Sequence, residues 1–274
     1  MPYCDVGDAQ LYYEVADYTD PWRPADTVVL HHPAMGNLTR WRAWIPALAR
    51  DFRVVTFDVR GHDRSTSLPP DYQWSMDVLT GDVVRLIDHL GAGAVHFAGA
   101  SAGGSVGLRF AHDHPDRIKT LTLVAASARL AESKSNHAQW LVTIRAEGVE
   151  AFLMKDAAAR FNPDTDPELI RWFAREGGKN ASEVVAGFAG YMTSLDQRDL
   201  LLGIKCPTLI IGAGADDVTL PSTQYYLRDH IADSELVMLE GARHNISSFL
   251  ADRCAREMMA FLARRGYVTR RRLG

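Results

Sequence analysis

Six short runs of aliphatic and β-branched residues, each followed by a turn or helix signal, constrain this chain more than any other feature. They read "TVVLHH" (27–32), "RVVTFD" (53–58), "AVHFAGA" (94–100), "IKTLTLVAA" (118–126), "PTLIIGAGA" (207–215) and "SELVMLEGA" (234–242). Several are continuously apolar, as strands covered on both faces are. Between them lie helical patterns at 39–50, with Trp41, Trp44 and Leu48, and at 75–90, with Leu79, Val83, Leu86, Ile87 and Leu90. Further helical patterns occupy 102–114, 221–232 and 247–264. Strand alternating with helix predicts an α/β protein with a mostly parallel sheet and helices on both faces. The opening segment, two extended runs around Gly7-Asp8, predicts an antiparallel hairpin at the sheet edge. Residues 128–203 carry Trp140, Phe152, Phe161, Trp172, Phe188, Tyr191 and Met192 at helical spacing without a convincing strand. They are expected to form a helical cap inserted into a core made of 1–127 and 204–274.

Composition narrows the function classes. The chain has 274 residues, 47% of them hydrophobic, enough to bury one large core, and its net charge of −4 favours neither nucleic acid nor an anionic membrane. Arg270, Arg271 and Arg272 form a short basic cluster that reads as a solvated end. No apolar stretch approaches the roughly 20 residues of a membrane span, and "MPYCDVGDAQ" lacks the pattern of a signal peptide, so a cytoplasmic location is expected. Cys4, Cys206 and Cys254 are odd in number and widely spaced, which argues against a disulfide framework or a zinc site and for small core hydrophobes. No residue pattern calls for a metal or an organic cofactor.

The third run ends in "Gly99-Ala100-Ser101-Ala102-Gly103", a G-x-S-x-G motif at a strand-to-helix junction, and Gly104 and Gly107 follow within the predicted helix. Glycine inside a helix costs about 1 kcal/mol relative to alanine, so their concentration indicates that side chains would obstruct something. In this context the motif denotes a serine held exposed on a strained turn. Gly99 and Gly103 keep the turn open, Gly104 and Gly107 let the helix approach the sheet, and the helix N-terminus faces the serine where negative charge would develop. Serine needs a base, and the base an orienting acid. "LEGARHNISSF" supplies His244 after the last strand, and "IIGAGADDVTLPS" supplies Asp216 and Asp217 after the one before it. Parallel strands place both loops at the sheet edge where Ser101 should lie.

This set resembles the α/β-hydrolase family over nearly the whole chain, through the hairpin, "FDVRGHDRS", the serine turn, "HPDRI", "GADDVTLP" and "GARH". "HHPAMGNLTRW" followed by "FRVVTFDVRGHDRS" is most similar to its esterase and 3-oxoadipate enol-lactonase branch. That resemblance implies an α/β-hydrolase fold with a cap, a Ser-His-Asp triad of Ser101, His244 and Asp217, and an acyl-enzyme intermediate. Asp217 is implied as the acid because Gly214, Asp217 and Pro221 fit the branch's G-x-x-D-x-x-x-P spacing, with Asp216 as the alternative. The oxyanion donors implied are the N–H groups of Ala102 and, matching Gly36 to the family's loop glycine, Met35, with Ala34 next.

The expected pocket includes His32, Ala34, Trp140, Phe152 and Phe188, under an apolar roof; an acidic substrate would want an arginine or lysine beneath it, and the sequence does not rank Arg145, Arg160 and Arg175. The expected partner is a small ester or lactone, with no nucleic acid or membrane, and a homo-oligomer is compatible with the chain. Two other readings use the same residues: a carbon–carbon bond hydrolase or cofactor-free haloperoxidase on the same triad, and a slow-turnover ligand sensor.

Overall fold

All six runs are strands of one sheet in the computed structural model, which describes residues 2–268; the Arg270–Arg272 cluster lies outside the described residues. In chain order the strands are β1 (Tyr3–Asp5), β2 (Gln10–Ala16), β3 (Thr27–His31), β4 (Arg53–Phe57), β5 (Val95–Ala100), β6 (Ile118–Val124), β7 (Thr208–Ala213) and β8 (Ser234–Leu239). The helices are α1 (Ile45–Leu48), α2 (Met76–His89), α3 (Ala102–Asp113), α4 (His137–Glu147), α5 (Val149–Lys155), α6 (Ala157–Arg160), α7 (Pro167–Gly178), α8 (Ser182–Ser194), α9 (Pro221–His230), α10 (Ile246–Phe249) and α11 (Ala251–Arg264). Spatial order is β1-β2-β4-β3-β5-β6-β7-β8. Strands β3 to β8 run parallel, while β1 and β2 form the expected antiparallel hairpin and join the sheet through β2 against β4.

The sheet is covered on both faces because its strands sort their side chains alternately. Val29, Phe97, Leu121 and Ile210 point into one cluster with Leu79, Val83 and Leu86 of α2, Val106 of α3 and Leu227 of α9. Val28, Leu30, Ala98 and Ile211 point the other way, into a cluster with Leu48 of α1 and Met258, Phe261 and Leu262 of α11. Helix α2 starts where the Ser75 hydroxyl accepts the Asp77 amide, 3.2 Å away. Cys4, Cys206 and Cys254 are buried free thiols within these clusters.

Two helical expectations are modified: the pattern at 247–264 is broken at Leu250 into α10 and α11, and the one at 39–50 is divided as well. Residues 39–50 form two separate turns, a 3-10 turn at Leu38–Trp41 capped by Asn37 and the single turn α1, which has a proline at its start. Pro46 has no N–H to continue a ladder from the first turn. Trp41 and Trp44 are nonetheless fully buried, edge to face with centroids 4.9 Å apart.

Between β6 and β7 the chain forms α4 to α8. The two ends of this segment meet: Arg129 and Asp196 form an isolated antiparallel bridge, and the Gln197 N–H donates to Ala128 O at 2.9 Å. Its apolar residues, including Ile144, Phe152, Phe173 and Val185, cluster with Met35, which follows β3, and Val218, which follows β7. The helical segment therefore lies over the carboxyl ends of the strands. Chain growth along the sheet reverses at β3, whose neighbours are β4 and β5, and His31 is in register with Gly99. The loops after β3 and β5 are thereby brought side by side at that edge, the usual place for a site in an open parallel sheet.

Among the described residues no helix is long and apolar enough to cross a membrane, and no group of three or more His, Cys, Asp or Glu residues could hold a metal ion.

Candidate active site

Ser101 occupies the junction of β5 and α3 with φ 51° and ψ −116°, a conformation unfavourable for a residue with a side chain. The neighbouring glycines make it attainable. A Cβ on Gly99 would overlap the backbone of Gly103, and one on Gly103 would overlap the carbonyl of His31. Farther along α3, a Cβ on Gly107 would come within 2.8 Å of the Phe97 ring, so this face of the helix is pressed onto the sheet. The turn is tied down by the Ser101 N–H, which donates to Val124 O at 2.9 Å.

His244 follows β8 and reaches across the strand ends. Its Nε2 lies 3.1 Å from Ser101 Oγ and its Nδ1 lies 2.8 Å from Asp216 Oδ2. These distances correct the expectation for the acid. Asp216, only 1% exposed, faces the imidazole, whereas Asp217 turns outward and pairs with Lys134 Nζ at 2.8 Å. The loop after β7 decides between the two. Asp216 Oδ1 accepts the amides of Val218 and Thr219 at 2.7 and 2.9 Å, and its Oδ2 accepts the Thr219 hydroxyl at 2.6 Å. A carboxylate caught in this turn over its own following amides points inward, and the next residue points away. Burial alone would raise the Asp216 pKa, but the facing His244 and the hydrogen bonds from His244 and Thr219 hold it below the usual carboxylate value. Asp216 is thus kept as an anion beside the ring.

The loop after β3 is pinned through its carbonyls. Pro33 O accepts the Gly36 N–H at 3.1 Å, Met35 O accepts Arg40 Nη2 at 3.0 Å, and Gly36 O accepts Asn180 Nδ2 at 3.1 Å. Ala34 O faces His62 Nε2 at 2.9 Å. The Ala34–Met35 peptide is planar and trans, so the Met35 N–H points away from His62. Among the described residues neither the Met35 nor the Ala102 amide donates to another protein group.

These groups open onto a cleft of about 650 Å³, counting its solvent-facing mouth, with mainly apolar walls from Ala34, Met35, Leu130, Trp140, Leu153, Phe173, Ala189, Met192 and Val218. Ser101, Ala102, Thr219 and His244 form its floor, with Ser105, Ser127, Thr193, Arg160 and Asn245 as further polar lining. The structure thus brings Ser101, His244, Met35, Ala102, Ala34 and Trp140 of the expected residues together at one site.

Three expected pocket residues are elsewhere. His32 is fully buried behind the loop, with Nδ1 2.8 Å from Pro33 O while Nε2 accepts the Val59 N–H at 3.0 Å, so both ring nitrogens are committed to backbone. Phe188 faces the sheet side, packed between Trp74 and His62 at centroid distances of 4.7 and 5.3 Å. Phe152 backs Trp140, 5.8 Å away edge to face, rather than the cleft. Of the three candidate arginines, Arg160 lines the cleft, Arg145 pairs with Glu183 at 2.9 Å, and Arg175 is exposed. Asn245 and Thr219 were not anticipated; Asn245 directly follows His244 and Thr219 stands three residues after Asp216, which is the only signal the sequence held for them.

Comparison with known proteins places this geometry among enzymes. A family model described as the α/β-hydrolase fold matches residues 26–249. The 3-oxoadipate enol-lactonase 2 of Acinetobacter baylyi is 27% identical over 238 residues, 86% of each chain. A protein of Azorhizobium caulinodans, named as a proposed carbamate hydrolase RutD, is 29% identical over 269 residues, covering 92% of this chain and 94% of its own. Among solved structures, the enol-lactonase from Burkholderia xenovorans superposes with a TM-score of 0.87 at 28% identity, over 96% of this chain and all of its own.

Proposed function

The chain belongs to the α/β-hydrolase fold family, as an ester-acting hydrolase, and from that premise we propose that it cleaves a small carboxylic ester or lactone through Ser101, His244 and Asp216. The observation that carries the reading is the unbroken sequence of contacts from Ser101 Oγ through the two ring nitrogens of His244 to Asp216, at 3.1 and 2.8 Å, on the floor of an apolar cleft.

His244 Nε2 takes the hydroxyl proton as Ser101 Oγ attacks the substrate carbonyl. The imidazolium formed is held by anionic Asp216 at Nδ1, which also fixes the ring orientation. The N–H groups of Met35 and Ala102 receive the developing oxyanion, with the positive end of α3 behind Ala102. His244 then returns the proton to the leaving oxygen, and a water activated by the same base releases the acyl group from Ser101. The helical segment over the site serves as a cap that excludes bulk water from these steps and shapes the space for acyl and leaving groups.

The test is turnover of a panel of short esters, lactones and carbamates by the wild type and Ser101→Ala. The variant is expected to lose roughly 10⁴- to 10⁶-fold in kcat. Hydrolysis that survives the substitution at near wild-type rate overturns the reading, and a single burst without further turnover would identify a sensor instead.

A further inference from the structure

The loop that carries Met35 is held to the helical segment above it by two side chains that do not line the cleft. Arg40, in the 3-10 turn after the loop, is 2% exposed, and its Nη2 donates to Met35 O at 3.0 Å and to Phe173 O of α7 at 2.7 Å. Asn180, two residues beyond α7 and 5% exposed, donates from Nδ2 to Gly36 O at 3.1 Å and to Gly177 O at 2.9 Å. Its Oδ1 accepts the Asp63 N–H at 2.9 Å, so both ends of the amide are engaged. Two successive carbonyls of the loop are thus tied to α7, one by each side chain.

Arg40 is costly to place there. Among the described residues its only hydrogen bonds are the two to carbonyls, and its Nε and Nη1 are buried without a partner. The Phe173 ring covers one face, 3.4 Å from the guanidinium carbon to the ring centroid. A buried cation supported by carbonyls and a ring loses its water without gaining a carboxylate, a cost that an apolar side chain of similar size avoids. Its presence points to what it holds. The backbone also makes way for it: a Cβ on Gly36 would come within 2.9 Å of Arg40 Cγ, and one on Gly177 within 3.0 Å of Met35 O. Loop, arginine and helix are packed with no room for a methyl group between them.

We propose that Arg40 and Asn180 are positioning residues for the oxyanion hole: they clamp the Met35–Gly36 segment to α7 and so set where the Met35 N–H points. Without the clamp the turn keeps only the contacts of Pro33 O and Ala34 O. An oxyanion donor works by standing ready where charge develops, and a misplacement of about 1 Å costs on the order of 10²-fold in rate. The guanidinium also sets a fixed positive charge against the same residue whose N–H receives the oxyanion. Phe173 lines the cleft as well, so the helix that borders the substrate space is the one that holds the donor loop. The proposal rests on the hydrolase reading above, in which the Met35 N–H is an oxyanion donor.

The variants are Arg40→Met, Arg40→Lys and Asn180→Leu, with Arg42→Met beside the same turn as a control. Each is assayed for kcat and KM on p-nitrophenyl acetate, and for inhibition by hexyl trifluoromethyl ketone and hexyl methyl ketone. The fluorinated ketone forms an adduct with Ser101 that puts an oxyanion in the hole, whereas the methyl ketone occupies the cleft without one. Arg40→Met and Asn180→Leu are expected to lower kcat at least about tenfold with KM within about threefold. Inhibition by the trifluoromethyl ketone should weaken at least about tenfold while that by the methyl ketone holds, and the pH profile of kcat/KM should keep its shape because the triad is untouched. Arg40→Lys keeps the charge and one donor head, so an intermediate kcat separates loss of the clamp from loss of the fold. Unchanged kcat in Arg40→Met and Asn180→Leu overturns the proposal, as do equal losses of affinity for the two ketones or an equal fall of kcat in Arg42→Met. Ser101-dependent hydrolysis that the clamp variants leave intact removes this proposal alone; hydrolysis that survives Ser101→Ala removes the proposed reaction and the oxyanion hole with it.

Discussion

Asp216 and Asp217 are adjacent carboxylates in different environments, and the difference predicts different kinetics. Asp216 is buried, accepts two amides and a hydroxyl, and faces Nδ1 of His244. Asp217 is half exposed and makes one ion pair with Lys134. Asp216→Asn should keep the shape of the loop but present the wrong hydrogen-bonding group to the imidazole, lowering kcat by about 10⁴-fold. Asp217→Asn removes a surface pair of little energetic weight and should leave kcat within about twofold. Steady-state assays of the two variants on one ester decide the assignment, and the reverse ranking would refute it. The G-x-x-D-x-x-x-P spacing fits Asp217 because spacing counts residues. What selects Asp216 is which carboxylate the Val218 and Thr219 amides capture, a property of peptide orientation that a residue count does not contain. Ser101 and His244 were legible because each stands alone at its loop, with no neighbouring serine or histidine to compete.

At the scale of elements, the strands were legible because burial on both faces requires continuous apolar runs, and few other structures produce them so briefly. The glycines of the serine turn were legible for a related reason: their cost has to be offset by something the fold requires. That argument predicts an effect of a single methyl group. Gly103→Ala places a Cβ against the His31 carbonyl and should lower stability by at least about 2 kcal/mol, read from urea denaturation. Gly81→Ala, in helix α2 with only Arg85 nearby at 3.5 Å, should instead raise stability by about 0.5–1 kcal/mol. Comparable losses in both would mean that helix interiors, not the turn, set the cost. The ligand-facing side of the helical segment was less legible, and α8 shows why. This helix is buried on two sides: Phe188 packs toward Trp74 and His62, while Ala189, Met192 and Thr193 face the cleft. An apolar stripe marks burial without saying whether a core or a substrate lies opposite, and here the bulky aromatic faces the core while smaller residues leave room for the ligand.

For the molecule as a whole, several buried histidines make the fold sensitive to acid. His31 and His96 are driven by burial to about 4 from the ordinary 6.5, His32 is pushed well below it, and His62 is lowered for the same reason. Each is neutral in the folded chain and takes up a proton on unfolding at mildly acidic pH, so stability present above about 6.5 is lost as pH falls toward 4. Asp58 acts in the opposite sense. Burial lifts its carboxyl to about 7, so between the ordinary 3.8 and that value the folded chain holds a proton that the unfolded chain releases, and this contribution grows as pH falls. Burial raises the Asp82 carboxyl as well and lowers His137, so five imidazoles oppose two carboxyls of this kind, and the net expectation is a Tm that is nearly flat above pH 6.5 and declines between about 6 and 4. His96 lies near the start of β5, at the end of the strand opposite Ser101, with Nδ1 2.9 Å from the Thr120 hydroxyl. His96→Gln should therefore flatten the acid decline by removing one of the protons taken up on unfolding, while leaving the pH profile of hydrolysis in place. Thermal melts of the two proteins from pH 7.5 to 4 provide the comparison; parallel curves would show that this histidine already shares its proton equally between the folded and unfolded chains.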